Sequence, residues 1–217
     1  MLKRILELLF PPKCILCRRV LEKHETDLCH RCRTDSPISP ANRVKISFVE
    51  SWAAVWYYEG AVRSSILRFK FGGKQNYAPA YGRFLAMKLQ QEYPDGFDLI
   101  TWVPTGSRRI RKRGYDQAKL LAEAAGSELG MMPVQLLKKI RNTPPQSRIH
   151  GDAKRRANVL GAYKATDNIP FSGKRILLLD DIITTGATVS ECARILLTAG
   201  AKEVHCGALA YARRAKR

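Results

Sequence analysis

The stretch Ile176-Leu177-Leu178-Leu179-Asp180-Asp181-Ile182-Ile183-Thr184-Thr185-Gly186-Ala187-Thr188 decides how this chain folds. Four consecutive aliphatic residues suit a parallel strand buried on both faces. Two carboxylates follow where the strand should emerge, then a short turn of hydroxyls and glycine, then a helical pattern from Val189 to Thr198. A strand–acid–turn–helix unit of this kind suits a phosphorylated sugar. Backbone N–H groups of Thr184 to Thr188 at a helix N-terminus would cradle a phosphate, and the helix dipole favours its charge. Gly186 lets the backbone approach closely. Asp180 and Asp181 are placed to accept hydrogen bonds from vicinal ribose hydroxyls. An ordinary strand end with a solvated acidic turn is the competing reading.

Every position of this stretch resembles the phosphoribosyl-pyrophosphate (PRPP) motif of type I phosphoribosyltransferases. That motif is an aliphatic run, two acids, two intervening residues and Thr-Thr-Gly-x-Thr. The resemblance implies that Ile183, Thr184, Thr185, Gly186, Ala187 and Thr188 surround a 5′-phosphate and that Asp180 and Asp181 hold the ribose.

Working outward, strand and helix patterns alternate. Trp52–Tyr58 reads as a strand, and Ala61–Phe71 and Pro79–Glu92 as helices broken by Gly72-Gly73. Asp98–Val103 reads as a strand and Tyr115–Leu129 as a helix closed by Gly130. Val134–Leu137 is a short strand, a polar loop runs to about Gly161, and Lys174–Asp180 and Glu203–Ala210 are strands. This order predicts an α/β fold with a mostly parallel sheet flanked by helices, with ligands beyond the carboxyl ends of the strands.

Among 217 residues, 38 are basic and 19 acidic, a net charge of +19 that implies an anionic partner. The basic residues cluster in loops: Arg108, Arg109, Arg111, Lys112 and Arg113; Lys138, Lys139 and Arg141; Arg148, Lys154, Arg155 and Arg156; and the tail Arg213, Arg214, Lys216 and Arg217. The first cluster follows Pro104-Thr105-Gly106-Ser107. Small residues directly after a strand suit pyrophosphate, and arginines supply bidentate charge, so Thr105, Arg108, Arg109 and Arg113 are candidates for that end. A solvated basic loop is the alternative for each cluster.

At the front, Cys14-x-x-Cys17 and Cys29-x-x-Cys32 form two knuckles that predict a tetrahedral zinc site. Little else in residues 11–45 could form a core, so metal would supply the folding energy. Cys192 and Cys206 read as small buried hydrophobes, and His24, His30, His150 and His205 as incidental. Two domains are expected: 1–45, an N-terminal helix with the ribbon, and 46–217. The opening Leu2, Ile5, Leu6 and Leu9 fall at helical spacing. No run approaches the ~20 apolar residues of a membrane span, and a cytoplasmic protein is expected.

The full series is a Cys₄ ribbon, Val103-Pro104, Arg111-x-Arg113-Gly114-Tyr115-Asp116-Gln117, Thr143-x-x-Gln146, Arg155-x-x-Asn158 and the PRPP motif. It resembles the ComF family of competence-associated proteins, GntX-like homologues included, from Cys14 to about Tyr211. Lys70 matches a basic position of that family, and Asp116 stands where many members carry asparagine. The resemblance implies a PRPP-binding fold used in natural transformation and DNA uptake, beside DNA-processing proteins and a helicase-like partner, with Mg²⁺ accompanying PRPP. Three readings follow: a PRPP-binding protein of DNA uptake, a metabolic transferase releasing pyrophosphate, and a single-stranded DNA-binding accessory whose PRPP site is non-catalytic.

Overall fold

The computed structural model describes residues 10–42, 44–144, 149, 151–167 and 169–213. Expectations for the opening helix, for Gln146, Arg148 and His150, and for Arg214, Lys216 and Arg217 lie outside the described residues. The elements in chain order are α1 (His30–Asp35), β1 (Ser51–Tyr57), α2 (Gly60–Phe71), α3 (Ala78–Glu92), β2 (Leu99–Trp102), α4 (Ser107–Arg113), α5 (Gln117–Leu129), β3 (Leu137–Lys139), α6 (Asp152–Val159), β4 (Tyr163–Ala165), β5 (Arg175–Ile183), α7 (Ala187–Thr198) and β6 (Glu203–Tyr211).

Four strands form one sheet in the order β1-β6-β5-β2, each neighbouring pair parallel. Central β5 and β6 are covered on both faces, which is why they read as unbroken apolar runs. Alternation along β5 sorts its side chains. Leu177 and Leu179 join the core that holds Phe69, Tyr81 and Leu121, with helices α2, α3 and α5. Ile176 and Leu178 join the core that holds Val189, Cys192 and Leu196 of α7. Cys192 and Cys206 are fully buried in that second core, as small hydrophobes. The first core continues into the ribbon through Cys14, Ile15, Leu16 and Leu28.

Three segments depart from the sequence expectations. β5 runs on to Ile183, so both carboxylates stand inside the strand rather than beyond it. The short strand expected at Val134–Leu137 forms at Leu137–Lys139 and pairs antiparallel with β4 in a separate two-stranded ribbon. Residues 134–136 instead lean on the edge of β2, with Val134 N–H donating to the Ile100 carbonyl at 2.8 Å. Finally, the basic stretch after β2 and part of the long polar loop are helical, as α4 and α6.

Candidate functional site: a phosphate turn and two carboxylates

At the carboxyl end of β5 the chain turns through Thr184, Thr185 and Gly186 into α7. Gly186 takes a left-handed conformation, φ +76°, and a Cβ there would stand 2.9 Å from Ile46. Only glycine makes this turn without strain. The first-turn amides of a helix lack helical acceptors, and here they open onto a small cleft lined by Asp180 and residues 182–189. Thr185 Oγ1 accepts from the Ala187 amide at 3.4 Å, which pins the turn.

Because adjacent strand residues point to opposite faces, the two carboxylates address different layers. Asp181 follows Leu177 and Leu179 and meets α2, where Lys70 Nζ pairs with its Oδ1 at 2.8 Å. Asp180 faces the α7 side and accepts from the Asp181 amide at 2.8 Å. Burial, with the Asp181 charge beside it, pushes the Asp180 carboxyl up to about 8. On the same side lies Lys139 at the end of β3. Its ammonium meets the Tyr163 hydroxyl at 3.1 Å and sits 4.9 Å from that ring's centre. Burial, and then the Arg109 charge, bring Lys139 down to about 8.

The loop after β2 borders this arrangement. Thr105 donates its amide (2.8 Å) and hydroxyl (3.0 Å) to Asp116, whose carboxylate also accepts from the amides of Ala118 and Lys119 as N-cap of α5. One half-buried carboxylate therefore fixes both ends of the Thr105–Asp116 loop, and its desolvation raises its pKa. Helical spacing splits the basic cluster of α4. Arg109 donates to the Thr143 carbonyl at 2.7 Å. Arg113 donates to Gln117 Oε1 at 2.7 Å and stacks 4.5 Å from the Phe71 ring centre. Arg108, Arg111 and Lys112 are exposed.

The four knuckle cysteines bring their sulfurs within 4.8 Å of one another, with Cys17 and Cys29 sulfurs 3.6 Å apart. Four thiolates ~2.3 Å from one zinc would stand about 3.8 Å apart. All six cysteines are free of disulfides, so the set fits the metal.

Residues 5–42 match the double zinc ribbon domain family, and residues 110–217 match the phosphoribosyl transferase domain family. The chain is a homologue of ComFC and YhgH. DNA utilization protein YhgH of Salmonella typhi is 28% identical over 201 residues, 88% of this chain and 86% of its own. Competence protein ComFC of Bacillus subtilis (strain 168) is 28% identical over 209 residues, 91% of this chain and 83% of its own. Among solved structures, glutamine phosphoribosylpyrophosphate amidotransferase from B. subtilis, complexed with ADP and GMP, overlaps with a TM-score of 0.45 at 22% identity. The overlap covers 65% of this chain and 30% of that one.

The structure gathers Lys70, Asp180, Asp181 and the turn 183–188 at one end of the sheet, with Thr105, Arg109 and Arg113 on the bordering loop. Lys139 and Tyr163 join them, though the sequence marks Lys139 only as one of a basic cluster and Tyr163 not at all. His205 lies at the other end of β6, where its Nδ1 meets Ser51 Oγ at 2.7 Å. Among the described residues, no helix is long and apolar enough to cross a membrane.

Proposed function

We propose that this site binds PRPP and that the protein serves DNA uptake, a reading supported by relatives whose names state competence and DNA utilization. The observation that carries the reading is the carboxyl end of β5, where paired carboxylates run into a glycine turn that opens a helix. The amides of Thr184, Thr185, Gly186, Ala187 and Thr188, with the Ile183 peptide, would hold the 5′-phosphate. Asp180 and Asp181 would take the ribose hydroxyls. Thr105, Arg108, Arg109, Arg113 and Lys70 would face pyrophosphate, with Lys139 close to Arg109 and Asp180.

The oxygen-rich donor set of Asp180, Asp181 and the threonine hydroxyls suits Mg²⁺, which would neutralise pyrophosphate charge. Arriving pyrophosphate would draw Lys139 to its protonated form, since an opposite charge favours the ammonium. A transfer reaction would displace pyrophosphate from ribose C1, and the chain's part would be orientation and stabilisation of the departing charge. The same reading divides the chain into two domains, residues 1–45 with the N-terminal helix and zinc ribbon and residues 46–217 with the phosphoribosyltransferase-like unit.

Calorimetric titration of PRPP with Mg²⁺ into zinc-loaded protein tests the reading, alongside Asp180→Ala plus Asp181→Ala. Micromolar binding abolished by the double substitution is expected, and a pyrophosphate-release assay then separates transferase from sensor. No heat with either protein overturns the proposal. A second reading, binding of single-stranded DNA, is favoured by the exposed outer face of α4, Arg108, Arg111 and Lys112. That face suits a phosphate backbone.

A further inference from the structure

We infer that Arg68 is a positioning residue through which the zinc knuckle holds Lys70 in place, so that zinc occupancy and PRPP binding are coupled. The inference rests on the PRPP reading above. Arg68 Nη2 donates to the carbonyls of Ile15 at 3.1 Å and Leu16 at 2.5 Å. Ser65, one turn earlier on α2, donates its hydroxyl to the same Ile15 carbonyl and bonds the Tyr81 hydroxyl at 2.6 Å. These carbonyls belong to the turn between Cys14 and Cys17. Zinc bound to both thiolates would brace that turn, because metal binding at such a site is linked to folding.

Lys70 lies two residues beyond Arg68, on the opposite flank of the same helical turn. From there its ammonium reaches Asp181 at 2.8 Å. The last turn of α2 is gripped from the other side too: the Tyr115 hydroxyl donates to the Phe69 carbonyl, and Gln117 Nε2 to the Lys70 carbonyl at 3.4 Å. The segment bearing Lys70 is therefore clamped between the knuckle and the start of α5. Arg68 is the charged arm of the knuckle clamp; among the described residues its buried Nε has no hydrogen-bond partner, and its Nη2 bonds to Ile15 and Leu16 hold the guanidinium. Without metal the knuckle turn is released, the Arg68 clamp opens, and Lys70 loses its fixed distance to the carboxylate. By linkage the effect runs both ways: PRPP that orders Lys70 and Asp181 must tighten zinc.

A cleft of about 510 Å³ opens beside Cys17, Cys29 and Cys32, so a soluble chelator reaches the site. The test measures zinc affinity of the full chain by competition against a chelator of known affinity, in excess Mg²⁺, with and without saturating PRPP. Calorimetry on the same samples gives PRPP affinity for wild type, Arg68→Met and Arg68→Lys, and circular dichroism checks their folding. Expected is about tenfold tighter zinc binding with PRPP. Arg68→Met should weaken PRPP by a similar factor while keeping a native spectrum, and Arg68→Lys should restore part of it. If calorimetry shows PRPP binding but zinc affinity does not move, the coupling is overturned and the site stands. If wild-type protein gives no heat with PRPP, both readings fall. Should Arg68→Met fail to fold, the wild-type zinc measurement decides alone.

Discussion

Asp180 is held where its charge is unwelcome. Burial, and then the Asp181 charge beside it, push its carboxyl up to about 8. In the unfolded chain it would titrate near ~3.9. The folded protein thus holds this proton more tightly, and stability falls as pH climbs from about 4 to about 8, then levels off. Asp180→Asn removes the penalty. It should raise Tm at pH 8.5 by at least the ~2–4 °C that ~1 kcal/mol brings in a protein of this size. The gain should shrink as pH falls toward 4, while PRPP binding is lost at every pH. An unchanged or lower Tm at pH 8.5 would contradict the assignment. Gly186 behaves oppositely. Gly186→Ala forces a side chain into a left-handed turn, ~1–2 kcal/mol, and against Ile46. Both thermal stability and PRPP affinity should fall, and a fully stable variant would rule out the turn geometry.

Among the elements, α4 shows what a pattern can and cannot tell. Its seven residues carry five basic side chains and bury none, so no apolar stripe announces a helix. As a helix it divides one basic run into an inner pair, Arg109 and Arg113, and an outer face. Arg111→Ala plus Lys112→Ala should reduce the slope of log affinity against log salt for single-stranded DNA by about 1.4. PRPP affinity should stay within twofold; an unchanged salt slope would remove α4 from any nucleic-acid surface. By contrast β5 and α7 were legible, because a strand buried on both faces leaves a continuous aliphatic run and its turn a fixed set of residue types. Lys139 was not legible as part of the site. Its place near Asp180 and Tyr163 comes from pairing β3 with β4 across the long loop, and no local spacing encodes that pairing. The face-by-face split of Asp180 and Asp181 follows from strand alternation, yet it appears only once β5 is seen to reach Ile183.

At the scale of the molecule, ribbon and sheet share one core through Ile15, Leu16 and Leu28. Arg83 of α3 clamps Asp27 of the ribbon with contacts of 2.8 to 3.0 Å. Metal loss should therefore be felt by the whole protein. Chelation of zinc is expected to lower Tm by roughly 10 °C or more, in a single transition seen equally by far-ultraviolet circular dichroism and by tryptophan fluorescence. Two separate transitions would show that the ribbon melts alone.

The strand order also sets a timetable for synthesis. β1 lies at the sheet edge, and its partner is β6, from Ser51 opposite His205 to Tyr57 opposite Tyr211. On the ribosome, the ribbon, α2 and α3 emerge early and can already bury Ile15 and Leu16 together, given zinc. The aromatic strand Trp52–Tyr57, by contrast, waits for the last strand before its ladder closes. During translation it is the exposed edge that a chaperone would be called on to shield.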